Sequence, residues 1–226
     1  MKFHTFYTNN LPKKLLEDHQ KVCNHIGIDV EYYSEDSTDY NSVYTAHGKF
    51  MTSVMEKEET ACFLDIDCLP HNIKYIEYAY EWAVKNNSFV GNAQNISHTQ
   101  MKNRLYAAAS FLIVTQGSWK TLGSPDLTWF MQNNDQVDTA QILTLRADEI
   151  GFPYQLMYPI GYDGDNHRSL GGYGQYGTGT LYPATYHYFR ISEFQNQLPD
   201  LWTKRVNNIL NNQKIIPNHS SCFYGL

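Results

Sequence analysis

The sequence predicts one α/β domain with a mostly parallel central sheet flanked by helices. Strand-like and helix-like segments alternate from Lys2 to Asn92, the pattern of parallel strands joined by helical crossovers. The chain has 226 residues and contains no internal repeat or low-complexity linker, which suits one domain with a sizeable core. An apolar run that ends in Asp65 and Asp67 marks the edge of this sheet where ligands are expected.

The first half of the chain is predicted to run β-α-β-α-β-α-β. Apolar residues recur at helical spacing in three segments: 15–26, 43–54 and 73–83. Pro12 suits the first turn of the first helix and Gly27 can close it. Strands are expected at 2–7, 29–34, 61–70 and 88–92. On the second helix, His47 is interpreted as a packing histidine rather than a ligand.

The second half of the chain is less regular. The apolar segment 107–115 predicts a strand, and 154–160 and 181–191 have strand-like patterns. Asp138 and Gln141 have the spacing of a capping box and predict a helix that continues to Ile150. A terminal helix is expected over 201–210, and its Lys204 and Arg205 are interpreted as part of a packed, solvated element.

A Gly/Tyr-rich segment gives the C-terminal part an irregular character. Seven of the 14 glycines lie between Gly161 and Gly179, interleaved with tyrosines. Long loops of this kind in compact domains are usually functional or disordered, so both a lid or acceptor-binding loop and an ordinary surface loop stay open. Asp163 and Asp165 resemble a fragment of a calcium loop, but Gly174 stands where the closing glutamate belongs, so we interpret the segment as a polar loop.

Composition restricts the classes of function. The net charge is −6 and no long basic run is present, which argues against nonspecific nucleic-acid binding. The four cysteines are scattered without a Cys-x-x-Cys pair, so neither a zinc site nor a disulfide framework is indicated. The sequence has no basic-then-apolar signal and no apolar run of membrane length, so a cytoplasmic protein without a membrane span is expected. Aromatic residues make up 15%, a weak indication of sugar binding.

Asp65 and Asp67 are the strongest candidates for chemistry. Residues at i and i+2 of a strand point to the same face, so the two carboxylates are expected together at a strand end. Buried carboxylates need a cation or hydrogen-bonding partners, and the usual partner of such a pair is Mg²⁺ or Mn²⁺ with substrate phosphates. The alternative is that the two aspartates only cap the next helix.

The spacing of these residues resembles a known family. Lys49 precedes Asp65 by sixteen residues, and the pattern Lys-Phe…Cys-Phe-Leu-Asp-x-Asp resembles the glycogenin-like glycosyltransferases of the GT-A fold. In the same order, 7–9 (Tyr-Thr-Asn) resembles the nucleotide-holding end of the first strand, and 134–136 (Asn-Asp-Gln) resembles the Asp-Gln motif near the reacting sugar. His187 lies where the family has its third metal ligand. The resemblance covers residues 2 to about 190.

The resemblance implies a single Rossmann-like GT-A domain with a nucleotide-binding half at about 1–100 and an acceptor half at about 101–226. It implies a metal-dependent transferase that moves a hexosyl or related sugar from a nucleotide-diphospho-sugar. Mn²⁺ (or Mg²⁺) is expected at Asp65, Asp67 and His187. The nucleotide is expected at Thr8, Asn9, Asp36, Lys49 and Asp65, and catalytic roles at Asp135 and Gln136. The acceptor stays open among a glycan, a protein, a small molecule and a modified nucleic-acid base.

Two other interpretations remain at this point. A haloacid-dehalogenase-like phosphohydrolase also has Asp-x-Asp after an apolar strand, with Asp65 as nucleophile, but 68–70 (Cys-Leu-Pro) departs from its motif. A non-catalytic carbohydrate-binding protein would use the Gly/Tyr segment alone.

The chain also departs from the glycosyltransferase pattern at two places. Ala108 stands where the family has asparagine. The family's Gly-x-x-Lys-Pro-Trp tail is replaced by 189–191 (Phe-Arg-Ile), in which Arg190 is interpreted as a substitute for the lysine.

Overall fold

A computed structural model describes the chain at residues 1–36, 40–95, 105–132, 135–163, 179–189 and 198–220. Most of the Gly/Tyr-rich segment lies outside these residues, and so do Asn134, Arg190 and the remainder of the calcium-loop-like fragment after Asp163. The expectations placed on them are therefore not addressed by the structure. No helix of the described ranges is both long and apolar enough to cross a membrane.

The helices of the described chain are α1 (Lys13–Ile26), α2 (Tyr40–Met55), α3 (Ile73–Asn86), α4 (Gln116–Thr121), α5 (Gln141–Ile150) and α6 (Asp200–Leu210). Gly27 ends α1 with a φ of 83°, a left-handed conformation that glycine adopts without strain. At α5, the Gln141 side chain accepts a hydrogen bond of 2.8 Å from the backbone N–H of Asp138, which is one half of the predicted capping box. The short helix α4 was not predicted from the sequence.

The strands are β1 (Lys2–Thr8), β2 (Asp29–Glu35), β3 (Thr60–Leu64), β4 (Cys68–Pro70), β5 (Phe89–Asn95), β6 (Leu105–Thr115), β7 (Phe130–Gln132), β8 (Asp135–Val137), β9 (Gln155–Met157), β10 (Gly161–Asp163), β11 (Gly179–Leu181), β12 (Thr185–Tyr188) and β13 (His219–Ser220). Six of them form the central sheet in the order β2-β1-β3-β6-β5-β9. Within it, β6 alone runs antiparallel to its neighbours β3 and β5, and the other pairs are parallel. The prediction of a mostly parallel sheet flanked by helices is confirmed.

Helices cover both faces of the central sheet. On one face, α2, α4 and α5 pack on β3, β5 and β6 around side chains such as Met51, Phe63 and Leu143. On the opposite face, α1 and α3 pack on the same sheet around Cys62, Ile76 and other buried residues. Because both faces are covered, β3 is buried from Ala61 to Leu64, which explains the continuous apolar sequence there.

A second sheet holds the C-terminal part of the chain in the order β13-β10-β11-β12-β4. Its strands pair antiparallel, and it packs against α1 and α6 around residues that include Leu15, Tyr186 and Trp202. The predicted strand over 154–160 is wrong in extent, because only Gln155–Met157 belongs to the central sheet. Pro159 has no amide hydrogen to donate, so the ladder ends before it and the chain passes into the second sheet.

Arg205 is not the solvated residue that the sequence suggested. Only 1% of its side chain is exposed, and it makes two hydrogen bonds, of 2.9 and 2.7 Å, to the fully buried carboxylate of Asp163. The Tyr186 hydroxyl donates to the same carboxylate at 2.9 Å. The interpretation was wrong because helical periodicity assigns a residue to a face but does not reveal a buried partner on another element.

Candidate active site

Asp65 and Asp67 lie in a tight turn between the two sheets. The backbone N–H of Asp65 donates to the carbonyl of Ser110 at 3.1 Å. The carbonyl of Asp65 accepts from the N–H of Cys68 at 2.9 Å. The turn brings the chain out of β3 and directly into β4. As a result, 26% of the Asp65 side chain and 13% of the Asp67 side chain are exposed, at the carboxyl end of a buried strand.

His187 joins the two aspartates from β12. This strand pairs with β4, where His187 lies opposite Cys68, and the N–H of Tyr188 donates to the carbonyl of Asp67 at 2.8 Å. The Nε2 atom of His187 lies 3.3 Å from Oδ1 of Asp67, and 4% of the side chain is exposed. One ligand atom from each of Asp65, Asp67 and His187 lies within 4.8 Å of the other two, so the structure brings the three predicted metal ligands together.

The pKa values of Asp65 and His187 are both raised, because the carboxylates of this cluster lie close together and are partly buried. Burial and the charge of Asp67 raise the pKa of Asp65 to about 7. Burial opposes protonation of His187, but the contact with Asp67 outweighs it and raises the pKa of the imidazole. Two carboxylates and one imidazole nitrogen are a donor set for a divalent cation, and a cation between them would remove the repulsion. The residues present therefore fit such an ion.

His47 is a neighbour of Asp65 that the sequence did not identify. It lies on α2 with its Nε2 atom 3.5 Å from Oδ1 of Asp65. Its ring stacks on Phe6 of β1, with centroids 5.3 Å apart and planes inclined by 8°. Burial lowers the pKa of His47 to about 4, so the ring is neutral. The interpretation of His47 as a packing histidine described the stacking and missed the carboxylate, because the direction of a side chain on a helix face is not encoded in its spacing.

Lys49, one of the predicted nucleotide-binding residues, lies on the same helix. Its side chain is exposed and lines an open cleft, whereas the described side-chain contact of Asp65 is with His47. The assignment of Lys49 to the nucleotide stays a prediction. The cleft has a volume of about 680 Å³ and lies between α2 and the ends of β1 and β2.

Aromatic side chains form one wall of this cleft. Phe6, Tyr33 and Phe50 line it, and the rings of Tyr33 and Phe50 are 4.5 Å apart. The ring of Phe50 also lies 5.8 Å from that of Phe6. Because Phe6 stacks on His47 and His47 contacts Asp65, the cleft and the acidic cluster are neighbours.

Thr8, Asn9 and Asp36 meet at the carboxyl ends of β1 and β2. The backbone N–H of Asn9 donates to the carbonyl of Glu35 at 3.1 Å, and the Asn9 side-chain amide donates to the carboxylate of Asp36. The Thr8 hydroxyl bonds to Asn10. Ser34 and Glu35, which directly precede Asp36, line the cleft. These three predicted nucleotide-binding residues therefore lie at one edge of the sheet, beside the cleft.

Asp135 and Gln136 lie on β8, which pairs with β7 in a two-stranded hairpin. Gln136 is half-buried, and the side chain of Asp135 lies outside the described part of the structure. Asp138, just beyond the hairpin, adds negative charge near Asp65 and contributes to the raised pKa of that carboxyl. The buried Tyr106 hydroxyl donates to Asp138 at 2.6 Å. The sequence indicated only a capping role for Asp138.

Comparison with known proteins identifies the fold. No protein-family model matches the sequence, and no curated protein sequence matches it significantly. A structure of the galactosyltransferase LgtC in complex with donor and acceptor sugar analogs is similar with a TM-score of 0.51 at 10% identity, covering 96% of this chain and 98% of that chain. The catalytic domain of Drosophila β1,4-galactosyltransferase 7 in complex with xylobiose gives a TM-score of 0.41 at 10% identity, covering 94% and 84%. The LgtC likeness confirms the GT-A fold.

Proposed function

We propose that the chain is a metal-dependent glycosyltransferase that transfers a sugar from a nucleotide-diphospho-sugar. The observation that carries this proposal is the cluster of Asp65, Asp67 and His187, which adjoins an open aromatic cleft at the same edge of the sheet. A nucleotide-sugar needs both features. Its base and ribose need a partly apolar cleft, and its diphosphate needs a cation to bridge it to carboxylates.

The cleft suits the nucleoside part of such a donor. Its volume of about 680 Å³ lies within the range of small-molecule sites. Phe6, Tyr33 and Phe50 offer ring faces for a base, while Lys49 supplies a positive charge for a phosphate or a hydrogen bond to the ribose. Asn9 and Asp36 offer polar groups at the same edge.

The acidic cluster suits the diphosphate part. Asp67 and His187 would hold the ion directly, with Asp65 as a further ligand or a contact to the ribose. The imidazole favours Mn²⁺ over Mg²⁺, since nitrogen ligands suit later first-row metals better. A bound ion would supply Lewis-acid stabilisation of charge on the leaving diphosphate. For the ion to bind, Asp65 must be deprotonated and His187 must be neutral.

Asp135 and Gln136 are proposed to orient the donor sugar or the acceptor hydroxyl. Their strand β8 leads directly to Asp138, whose charge contributes to the raised pKa of Asp65, and this supports a place for the hairpin near the acidic cluster. Hydrogen bonds from such polar groups would align the reacting atoms, which is the main contribution of positioning to catalysis.

The fold is compatible with this activity. The chain shares the GT-A fold with LgtC, a galactosyltransferase whose structure contains donor and acceptor sugar analogs. A shared fold is an argument by analogy, so the chemistry rests on the cluster and the cleft. A phosphohydrolase with Asp65 as nucleophile is disfavoured by 68–70 (Cys-Leu-Pro), which departs from the motif of that class.

A panel of nucleoside diphosphates and nucleotide-sugars tests the proposal. Each ligand is added to the full chain with Mn²⁺ or with EDTA, and the melting temperature is measured. A ligand at ~100 times its dissociation constant stabilises the folded state by about 2.7 kcal/mol. We expect at least one nucleotide-sugar to raise the melting temperature only with Mn²⁺, and then to release nucleoside diphosphate. A panel with no Mn²⁺-dependent ligand would contradict the proposal, and binding of free sugars independent of metal would support a carbohydrate-binding protein instead.

A further inference from the structure

His47 occupies a particular place between the two parts of the site. On one side its Nε2 atom lies 3.5 Å from Oδ1 of Asp65, and on the other its ring lies flat against Phe6, which lines the cleft. Its neighbours Ala46 and Lys49 on α2 also line the cleft. The side chain of His47 thus contacts both the cleft wall and a carboxylate of the cluster.

The position of His47 is fixed by close packing of its helix. Gly48 approaches the backbone of Leu127 and Thr128 so closely that a Cβ atom at Gly48 would lie 2.3 Å from Cα of Thr128. Met51 and Met55, one and two turns further on, are fully buried in the core. Because the helix cannot shift without losing these contacts, the imidazole is held where it meets Asp65.

We propose that His47 is a positioning residue that holds Asp65 in the orientation needed for the cation, by donating its Nε2 proton to one carboxylate oxygen. A distance of 3.5 Å is longer than an N–H···O hydrogen bond, and contacts of this kind in ligand-free sites commonly shorten to one when the ligand binds. One oxygen of Asp65 is then occupied by His47 and the other is free for the ion. The inference rests on the proposed metal-dependent function.

This arrangement has a chemical rationale. Hydrogen-bonding partners of metal ligands fix the ligand's orientation, and their loss typically costs about 10- to 100-fold in metal affinity. A neutral imidazole can donate one proton to a carboxylate without competing with the cation for charge. A lysine or arginine in the same place would neutralise Asp65 and weaken its attraction for a divalent ion.

The test measures Mn²⁺ affinity on the full chain without nucleotide, by electron paramagnetic resonance of free Mn²⁺. The variants are His47→Ala, His47→Gln and, as a matched control, His25→Ala. The control removes an exposed histidine in the last turn of α1, whose ring contacts Asn212. We expect His47→Ala to weaken Mn²⁺ binding by about tenfold or more, His47→Gln to restore part of the loss because its amide can donate, and His25→Ala to leave the affinity unchanged.

A double-mutant cycle separates positioning from a general effect on structure. In an Asp65→Ala background, His47→Ala should have no further effect on Mn²⁺ affinity, since the side chain that His47 would orient is gone. Equal affinity of His47→Ala and the wild type, or fully additive effects of the two substitutions, would overturn the inference. If the wild type binds Mn²⁺ but turns over no nucleotide-sugar, the proposed function fails while the positioning role stands.

A second measurement needs no variant and no metal. Nitrogen-15 spectra of the wild-type protein near neutral pH report which ring nitrogen of His47 carries the proton. The inference requires the neutral tautomer with the proton on Nε2, and a neutral ring protonated on Nδ1 would overturn it.

Discussion

The backbone N–H of Tyr188 donates a hydrogen bond of 2.8 Å to the carbonyl of Asp67. This bond continues the pairing of β12 with β4, in which His187 lies opposite Cys68. Two segments that are distant in sequence are thereby held in register, so Nε2 of His187 lies 3.3 Å from Oδ1 of Asp67. The geometry of the proposed metal site thus depends on the second sheet as much as on the strand that ends at Asp65.

The first prediction concerns His187. Because its Nε2 atom faces Asp67, His187→Ala should weaken Mn²⁺ binding by more than about tenfold, which is at least the cost of losing an outer hydrogen-bonding partner. The control is His71→Ala, which changes a half-buried histidine just after β4 that bonds to the carbonyl of Tyr182. Isothermal calorimetry and a melting curve are measured on each variant. Normal Mn²⁺ affinity together with a large drop in melting temperature would show that His187 is only a core residue.

The second prediction concerns pH. The pKa of Asp65 is raised to about 7, and a carboxyl must lose its proton before it binds a cation. The apparent affinity for Mn²⁺ should therefore rise by up to about tenfold per pH unit below pH 7 and level off above it. The raised pKa of His187 acts in the same direction, since only the neutral imidazole can bind. Titrations from pH 5.5 to 8.5 should show a shallower dependence in Asp65→Asn, and a flat wild-type profile would contradict the assignment of Asp65.

The third prediction concerns the buried ion pair of Asp163 and Arg205. Arg205→Met leaves a fully buried carboxylate without its cation, which should lower the free energy of unfolding by about 3–5 kcal/mol. Lys204→Met changes the exposed neighbour on the same helix and should alter it by less than about 0.5 kcal/mol. Urea unfolding measures both variants. An Arg205→Met variant as stable as the wild type would show that the pair contributes nothing to the packing of α6.

The sequence predicted the features that depend on local patterns. The apolar run before Asp65 and the period of the helices located the central sheet and its ligand edge. The predicted strand over 61–70 was wrong in extent, because the central-sheet strand ends at Leu64 and Pro70 ends β4 of the second sheet. The glycine after α1 correctly marked the end of that helix. These features follow from local propensity and burial, which are properties of short segments.

Contacts between distant segments were harder to predict. The partner of Arg205 is Asp163, and the partner of His47 is Asp65, and in neither case does spacing along the chain indicate the contact. The second sheet was missed in part because its strands have two to four residues, too few to show an alternating pattern. The prediction that His187 is a metal ligand came from the resemblance to a family, and no pattern in its own strand indicates it.

The most direct test is the binding of nucleoside diphosphates to the wild type and to Asp67→Ala, by calorimetry with Mn²⁺ and with EDTA. The account predicts that the wild type binds at least one nucleoside diphosphate much more tightly with Mn²⁺, and that Asp67→Ala loses this difference while it melts like the wild type. Asp29→Ala, at the exposed start of β2, should bind as the wild type does. Binding that is equal with Mn²⁺ and with EDTA, or Mn²⁺-dependent binding that survives in Asp67→Ala, would contradict the account.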